Sequence, residues 1–201
     1  MVLAGKDGCI KKSGNKIGYI DNFSLNIEQG TVETSEFEDQ WKTFIGTAKG
    51  YSGSFSGTFD YGDANGQKAI VDELLANGGE VSLDFKASMG LVLVCTADIS
   101  NATIGGSHGD KISVSFNFQG TGGLTKKMAA PVIRQNGNTI SMEAGSGATI
   151  HYTSNGDTPT TSSTEYEEEF DITGDLTLKA IAVLDGYVNS DVATKSVTYQ
   201  S

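Results

Sequence analysis

Residues 51–60 read YSGSFSGTFD, and this short stretch predicts the fold of the first half of the chain. Its aromatic residues alternate with serine, threonine and aspartate, the period of two that places successive side chains on opposite faces of a β-strand. Gly53 and Gly57 take the remaining positions on the apolar side, and a glycine inside a strand indicates that another group packs closely there. One face of this strand is therefore expected in a core, and the other face is polar. The apolar side consists of Tyr51, Phe55, Phe59 and Tyr61.

Three further stretches alternate in the same way, over residues 23–28, 80–86 and 112–119. Their second faces consist of hydroxyls, amides and carboxylates. The pattern predicts a mainly antiparallel sheet with one packed face and one polar face. Two interpretations of the polar face are open: a solvated outer surface, or a surface with a function of its own. The apolar positions are Phe23, Leu25, Ile27, Val81, Leu83, Phe85, Ile112, Val114, Phe116 and Phe118.

One short helix is expected between these strands. Asp63 or Asn65 can cap it, residues 67–77 carry an apolar side, and Gly78-Gly79 ends it. The same segment superficially resembles a calcium-binding loop. Tyr61 would hold the first ligand position and cannot serve as a ligand, so a helix cap is the better interpretation and no metal site is predicted.

Residues 36–50 are expected to form an unusually long connection around the lone Trp41. Connections of this length in compact domains are usually functional or mobile, and an exposed tryptophan would anchor an interface. The alternative is a loop folded back with Trp41 in its own core. The candidate contact residues are Glu36, Glu38, Asp39, Trp41 and Phe44.

The second half predicts a small β-sandwich. GTGGLTKK over residues 120–127 has the composition of a flexible linker, and turn signals recur every eight to twelve residues after it. The expected division is residues 1–122, a linker over 123–130, and residues 131–201. Short strands are expected at Val132–Gln135, Thr139–Glu143, Ala148–Thr153, Tyr166–Phe170, Leu176–Leu184 and Lys195–Tyr199, with Tyr152, Tyr166, Phe170 and Ile181 in the core.

The acidic run EYEEEFD over residues 165–171 has two interpretations. It could attract a cation. More simply, it is an edge strand whose charges discourage pairing with another chain.

Composition argues against several functions. The net charge is −11 and no arginine precedes Arg134, so the first half lacks the side chain that most often reads guanine or holds phosphate, and specific nucleic-acid binding is not expected. Cys9 and Cys95 are read as reduced thiols. Neither a signal peptide nor a membrane-spanning segment is expected.

No catalytic constellation is visible in the sequence. His108 lies in a glycine-rich turn and His151 on a predicted strand, and neither has a partner nearby in sequence. None of the common hydrolase, phosphate-loop or zinc motifs occurs. We therefore expect no enzymatic activity, no catalytic residues and no cofactor.

The second half resembles the small Ig-like or fibronectin-like module at the C-terminus of chitobiases and hexosaminidases. The resemblance rests on IHYTSNGDTPT at residues 150–160, Tyr166, LKAIA at 178–182 and Gly186-Tyr187. Asn155-Gly156 supplies a tight turn within it. The resemblance implies an Ig-like sandwich and says little about a ligand.

The first half is similar to the major tail protein, the tail tube subunit of long-tailed bacteriophages. The similarity rests on the opening strand 18–27, the acidic segment 33–39 with Trp41, the glycine-serine strand 51–60 and DANGQ at 63–67 with the helix after it. It implies a tail tube β-barrel or sandwich domain, and stacked, hexameric rings of identical subunits around a channel. The resemblance also implies that DNA passes through that channel without specific binding.

The same resemblance implies that the protein belongs to the virion tail, is assembled in the host cytoplasm, contacts other tail proteins and inserts into no membrane. A C-terminal Ig-like domain displayed on the outside is a recurrent addition in that family, and for this chain we expect such a domain to aid surface adhesion. Residues 36–50 would then be the arm that stacks one ring on the next. Lumen candidates that would repel DNA are Glu28, Asp60, Glu80 and Asp84, whereas Lys86 and Lys111 depart from an acidic lumen.

Two alternatives remain at this point. One is a secreted or cell-surface module for carbohydrate binding or adhesion, and the other is a tube subunit of a contractile injection system.

Overall fold

The computed structural model describes residues 8–76, 78–87 and 90–200. These residues form two compact units. The first contains residues 10–76, 78–83 and 95–123, and the second contains residues 8–9, 84–87, 90–94 and 124–200. The fold is mainly β with one short helix, as the sequence predicts.

The first half of the chain forms a seven-stranded sheet with the strand order β2-β1-β5-β6-β7-β4-β3. Four of its strands are long and adjacent, and the three others are short. The bounds are β1 Cys9–Lys12, β2 Asn15–Lys16, β3 Ile20–Glu33, β4 Phe44–Thr58, β5 Glu80–Lys86, β6 Val92–Gly105 and β7 Ser113–Lys127.

The apolar face of this sheet is held together by phenylalanines in register. Phe23 lies opposite Phe55, which lies opposite Phe116, and the last two rings are 5.0 Å apart between centroids. In the next row the ring of Phe118 covers Gly53, where a Cβ atom would lie 2.6 Å from the ring. The prediction that Gly53 sits where another group packs closely is confirmed.

The single helix of the described residues, α1, spans Gln67–Leu75. The Asp63 carboxylate accepts hydrogen bonds from the backbone N–H groups of Gly66 and Gln67, at 3.1 and 3.0 Å, which satisfies donors that the first helical turn leaves open. The N-cap position is Gly66, which has no side chain to cap the helix, so neither Asp63 nor Asn65 is the N-cap; Asp63 supports the start of the helix from three residues before it. The helix ends at Leu75, and Asn77, its predicted last residue, lies outside the described residues.

Two predicted boundaries are wrong. β4 begins at Phe44, so the connection after β3 covers residues 34–43 and not 36–50. β7 continues to Lys127, so residues 120–127 are strand and not a flexible linker. Composition suggested a linker, but hydrogen bonds with residues distant in sequence hold the end of this segment. Val188 exchanges backbone hydrogen bonds with Lys126 and Met128, and Lys127 forms an ion pair of 2.5 Å with Asp191.

The end of the chain folds as the predicted small sandwich of two antiparallel sheets. One sheet has the order β11-β10-β13-β14 and the other β12-β9-β8. The strands are β8 Val132–Asn136, β9 Thr139–Glu143, β10 Thr149–Thr153, β11 Thr164–Glu165, β12 Phe170–Asp171, β13 Leu176–Val183 and β14 Ala193–Val197. Gly156 has φ +83°, which agrees with the predicted Asn155-Gly156 turn.

The core of the sandwich differs in part from the predicted set of core residues. A buried aliphatic cluster forms its centre, and Tyr152, Tyr166 and Phe170 pack against that cluster while partly buried. Ile181 is buried but outside the cluster. The expected strand Tyr166–Phe170 is wrong, because β11 ends at Glu165 and β12 begins at Phe170 at the edge of the other sheet. The cluster consists of Ile133, Ile140, Met142, Ile150, Ile172, Leu178, Ala180 and Val197.

Substituting Gly53 tests the packing of the sheet. A Cβ atom at Gly53 would lie 2.2 Å from the Ser24 carbonyl oxygen, so Gly53→Ala should lower the free energy of unfolding by about 1–3 kcal/mol. Gly50→Ala in the same strand is the matched control, because nothing lies within 4 Å of a Cβ atom there. Thermal unfolding followed by circular dichroism measures both. Equal stability of the two variants would contradict the packing described.

Candidate functional site

The polar face of the sheet is continuous across three strands. In an antiparallel sheet, directly opposite residues share one face. Ser24 lies opposite Ser54, which lies opposite Asn117, and the two serine hydroxyls are 3.0 Å apart. We call the set of these rows the polar ladder. It consists of Asn22, Ser56 and Ser115, then Ser24, Ser54 and Asn117, then Asn26, Ser52 and Gln119.

The polar ladder offers hydroxyl and amide groups and contains no lysine or arginine. The next row brings Glu28 opposite Gly50, so one carboxylate stands at the end of the ladder. Phosphate is held in proteins mainly by arginine forks, lysines and clustered backbone N–H groups. A face of neutral side chains bordered by a carboxylate has little to hold a phosphate chain.

The four predicted lumen residues differ in their surroundings. Glu28 and Glu80 are exposed on strands. Asp60 follows β4 and accepts a hydrogen bond of 2.8 Å from the Gly62 N–H, so it shapes a turn. Asp84 is only 6% exposed. Its expected place on a wet face is wrong, because side chains on both faces of β5 are buried.

One edge of the sheet is a long strand. β3 has 14 residues and is the last strand on its side, paired along its length with β4 alone. Such an edge presents a row of backbone N–H and C=O groups that can pair with another chain, and soluble proteins usually protect it. Nothing in the sheet of described residues covers this side of β3.

Beyond a register shift between Gln29 and Thr31, strands β3 and β4 continue as a two-stranded projection. We call residues 31–46 the arm. Val32 and Ile45 lie opposite each other on it and are both largely exposed. Isolated hairpins of this kind bury little apolar surface, so their exposed apolar side chains indicate an interaction surface.

The arm tip, residues 34–43, contains most of the predicted contact residues. Trp41 is 84% exposed and Phe37 is 100% exposed. The alternative in which Trp41 is folded into the core of its own chain is therefore wrong. The Asp39 carboxylate accepts a hydrogen bond of 2.8 Å from the Glu36 N–H and shapes the turn. Phe44 is the first residue of β4 and is also exposed. Glu36 and Glu38 are exposed on the same turn.

The sequence predicts Tyr51 only as a core residue. In the structure Tyr51 also connects three strands. Its hydroxyl donates toward the carbonyl oxygens of Thr96 and Thr121, at 2.6 and 2.9 Å. Burial raises the pKa of Tyr51 above its usual value, and the nearby Cys95 raises it further. The sequence signal for the close packing of Tyr51 was Gly120, because a Cβ atom there would overlap the Tyr51 ring. The glycine-rich surroundings of Gly120 suggested a linker instead.

The described residues contain little that resembles a chemical site. Among them, no group of three or more histidine, cysteine, aspartate or glutamate side chains is arranged to hold a metal ion. His151 Nδ1 lies 3.0 Å from the Ser163 carbonyl oxygen, and His108 is exposed in its turn. Within residues 8–76, 78–87 and 90–200, no helix has the length and apolar character needed to cross a bilayer.

Comparison with known proteins supports both resemblances at the level of fold. Residues 133–194 match the family model of the chitobiase/beta-hexosaminidase C-terminal domain. A solved structure described as "Virion of native gene transfer agent (GTA) particle" has a chain 19% identical, with a TM-score of 0.56, over 63% of this chain and 99% of that one. A second, "Tail of empty GTA particle computed with helical refinement, C6 symmetry", is 20% identical with a TM-score of 0.53, over 62% and 98%.

A comparison with curated proteins gives no match. The two likenesses to solved structures show that about 63% of the chain shares its fold with chains of these two particles. The expected resemblance to a tail tube fold, followed by an Ig-like module, is confirmed.

Replacing Tyr51 by phenylalanine tests the link between the three strands. The Tyr51 hydroxyl bridges two partly buried carbonyl groups, so its removal in Tyr51→Phe should lower the free energy of unfolding by about 1–2 kcal/mol near neutral pH. The raised pKa means that the folded state holds the phenolic proton more tightly. Above pH about 10 the unfolded chain ionises first, and this part of the stability is lost as pH rises through the folded pKa.

The stability difference between wild type and Tyr51→Phe should therefore narrow above pH about 10. Urea unfolding at several pH values measures it, with Tyr61→Phe, an exposed tyrosine, as the control. A difference that stays constant through pH 11 would contradict the buried hydroxyl.

Proposed function

We propose that this protein is the structural subunit of a phage-type tail tube, assembled from stacked rings of identical copies around a channel for DNA. The observation that supports it most is that one strand pair, β3 and β4, combines three features. It carries two of the three strands of the polar ladder, its outer strand β3 is an open edge, and it continues as the exposed arm. A tube subunit needs one surface that lines the channel, one that contacts its neighbours in the ring and one that contacts the next ring. The three features of this strand pair match these needs, and a monomeric globular protein requires none of them.

In this proposal the polar ladder lines the channel. DNA meets serine, asparagine and glutamine side chains, which make no strong contact with phosphate, and Glu28 at the ladder's end repels it. Glu80 is retained as a second lumen candidate because it is exposed, and Asp60 is retained although it shapes a turn. Asp84 is left out because it is buried.

The open edge of β3 would pair with a strand of the next copy in the ring. Pairing around the ring removes this edge and closes the sheets into one barrel. The solved GTA tail with the similar fold is described with C6 symmetry, and we infer six copies per ring here as well.

The arm would stack one ring on the next, with Trp41 and Phe44 as anchors that become buried on contact. Copies of the chain and other tail proteins are then the partners, the virion tail is the location, and residues 131–201 form an outer decoration. We propose no carbohydrate-binding role, because Tyr152, Tyr166 and Phe170 pack against the buried cluster of the sandwich and do not stand free to stack on a sugar.

Electron microscopy of the purified protein tests the proposal. Rings or hollow rods are expected, and monodisperse globules at all concentrations and salt conditions would contradict it.

The lining of the channel is tested separately. Asn117→Cys in the polar ladder and Leu75→Cys on the helix are both exposed in the single chain. In rods of a Cys9→Ser background, a bulky polyethylene-glycol maleimide should modify the helix cysteine and spare the ladder cysteine.

Removing the indole of Trp41 tests the arm. Trp41→Ala should leave the fold unchanged, because the side chain is 84% exposed, while it removes about 2 kcal/mol from ring stacking. The concentration needed for rods should rise about 30-fold. Leu75→Ala, which removes an exposed apolar side chain far from the arm in sequence, is the matched control. Sedimentation of rods and circular dichroism measure assembly and fold. An unfolded Trp41→Ala protein would show that the residue supports the core.

A further inference from the structure

The sequence contains four Asn-Gly steps, and three of them lie entirely among the described residues. At such a step the backbone nitrogen of the glycine can attack the side-chain amide carbon of the asparagine. Glycine has no Cβ atom to hinder the approach, and asparagine is one of the residues that heat and time damage. In a folded chain the reaction needs a free glycine N–H and a free side-chain amide. The three steps are Asn65-Gly66, Asn136-Gly137 and Asn155-Gly156.

At Asn65-Gly66 the fold blocks the attacking nitrogen. Gly66 is buried at the start of α1. Its N–H group donates to the Asp63 carboxylate at 3.1 Å and to the Asp63 carbonyl oxygen at 3.2 Å. A hydrogen bond to a charged acceptor is stronger than one between neutral groups. The Gly66 nitrogen is therefore not free to lose its proton and attack.

At Asn155-Gly156 the fold blocks the side-chain amide instead. The Asn155 Nδ2 atom donates to the Asp157 carboxylate at 2.6 Å, and Oδ1 accepts a hydrogen bond of 3.0 Å from the Asp157 N–H. The second contact is the turn that asparagine forms with the backbone two residues on. Rotation of the amide toward the Gly156 nitrogen would break both contacts. Conversion of Asn155 would also bring a new carboxylate next to Asp157, and like charges this close repel.

At Asn136-Gly137 neither group is held. Both residues are exposed where β8 turns into β9, and Gly137 has φ +61°. Asn136 lies opposite Thr139 through its backbone. Within the described part of the chain, the Asn136 side-chain amide has no hydrogen-bond partner and the Gly137 N–H has no acceptor.

We propose that Asn136 is the site at which this protein deamidates, while the fold protects Asn65 and Asn155. The inference does not depend on the proposed function. The Gly137 N–H loses its proton to hydroxide, and its nitrogen forms a bond to the Asn136 Cγ atom. The C–N bond of the side-chain amide breaks, and its nitrogen takes up a proton and leaves as ammonia. Water then opens the succinimide ring at either carbonyl, which gives aspartate or isoaspartate at this position.

The conversion would change a turn that holds another segment. The Gln135 side-chain amide donates to the carbonyl oxygens of Gly137 and Thr198, at 2.9 and 2.7 Å. Asn138 exchanges hydrogen bonds of 2.8 and 2.7 Å with the backbone of Gln200. Each conversion adds one negative charge beside these contacts. The isoaspartate product also lengthens the backbone of the turn by one carbon atom.

The test is incubation of the full-length protein at mildly alkaline pH, followed by peptide mass spectrometry at the three asparagines. Asn136 should convert at least about tenfold faster than Asn65 and Asn155, because breaking a hydrogen bond to a charged group slows the attack by about that factor. The same chain unfolded in urea is the reference. There the three sites should convert at similar rates, since each precedes a glycine.

Two variants sharpen the test. Asp157→Ala removes the carboxylate that holds the Asn155 amide, so it should raise the rate at Asn155 about tenfold and leave the rate at Asn136 unchanged. Asn136→Ser should remove most of the ammonia released by the folded protein, and its circular dichroism should match wild type because Asn136 is exposed.

Equal rates at the three sites of the folded protein would overturn the proposal. So would an intact Asn136 in folded protein after a time that converts it in urea, or conversion of Asn65 or Asn155 before Asn136. If Asp157→Ala fails to fold, the comparison of folded and unfolded wild type decides alone.

Discussion

The register of β4 between β3 and β7 is the constraint on which the rest of the structure depends. The side-chain period of a strand is two, so a slip of one residue would exchange the two faces of the sheet. The close approach of the Phe118 ring to Gly53 and of the Tyr19 carbonyl oxygen to Gly57 allows only glycine at these points of β4. The register that these contacts fix puts phenylalanines into the core and aligns the serine, asparagine and glutamine rows.

The same strand pair changes character along its length. At the register shift between Gln29 and Thr31, Gly30 and Gly46 leave room for the side chains of Thr47 and Gln29. A bulge of this kind bends a strand and re-aims its side chains. Before the shift the pair is part of a packed sheet, and after it Val32, Phe44 and Ile45 are open to water. The chain thus exposes apolar side chains on this hairpin, which is the observation behind the stacking role proposed for the arm.

Much of this architecture could be predicted from the sequence, because it is encoded locally. The alternation in residues 51–60 and 23–28 identified the strands, and Asp63 identified the start of the helix. What could not be predicted depends on residues distant in sequence. Nothing in the alternation of β5 indicates that Asp84 is covered. The glycines of residues 120–127 resemble a linker until Val188 and Asp191 are known to hold its end.

Part of the candidate site could also be predicted from the sequence, and part could not. An exposed Trp41 was one of two alternatives that the sequence left open. The polar positions of each strand were visible as a pattern. Their alignment across β3, β4 and β7 depends on the register between strands, which the sequence of a single strand does not show. The bridging role of the Tyr51 hydroxyl was missed because its acceptors are backbone carbonyls, Thr96 and Thr121, which leave no mark on composition.

The two proposed contacts of the subunit differ in their physics, and this difference suits a tube. Pairing along the β3 edge would use backbone hydrogen bonds, which are the same for every residue type and respond little to salt. Stacking through the arm would combine Trp41 and Phe37 with exposed charges that salt screens. In the proposed tube the lateral contact would close on itself after a fixed number of copies, whereas the stacking contact would repeat without a natural end.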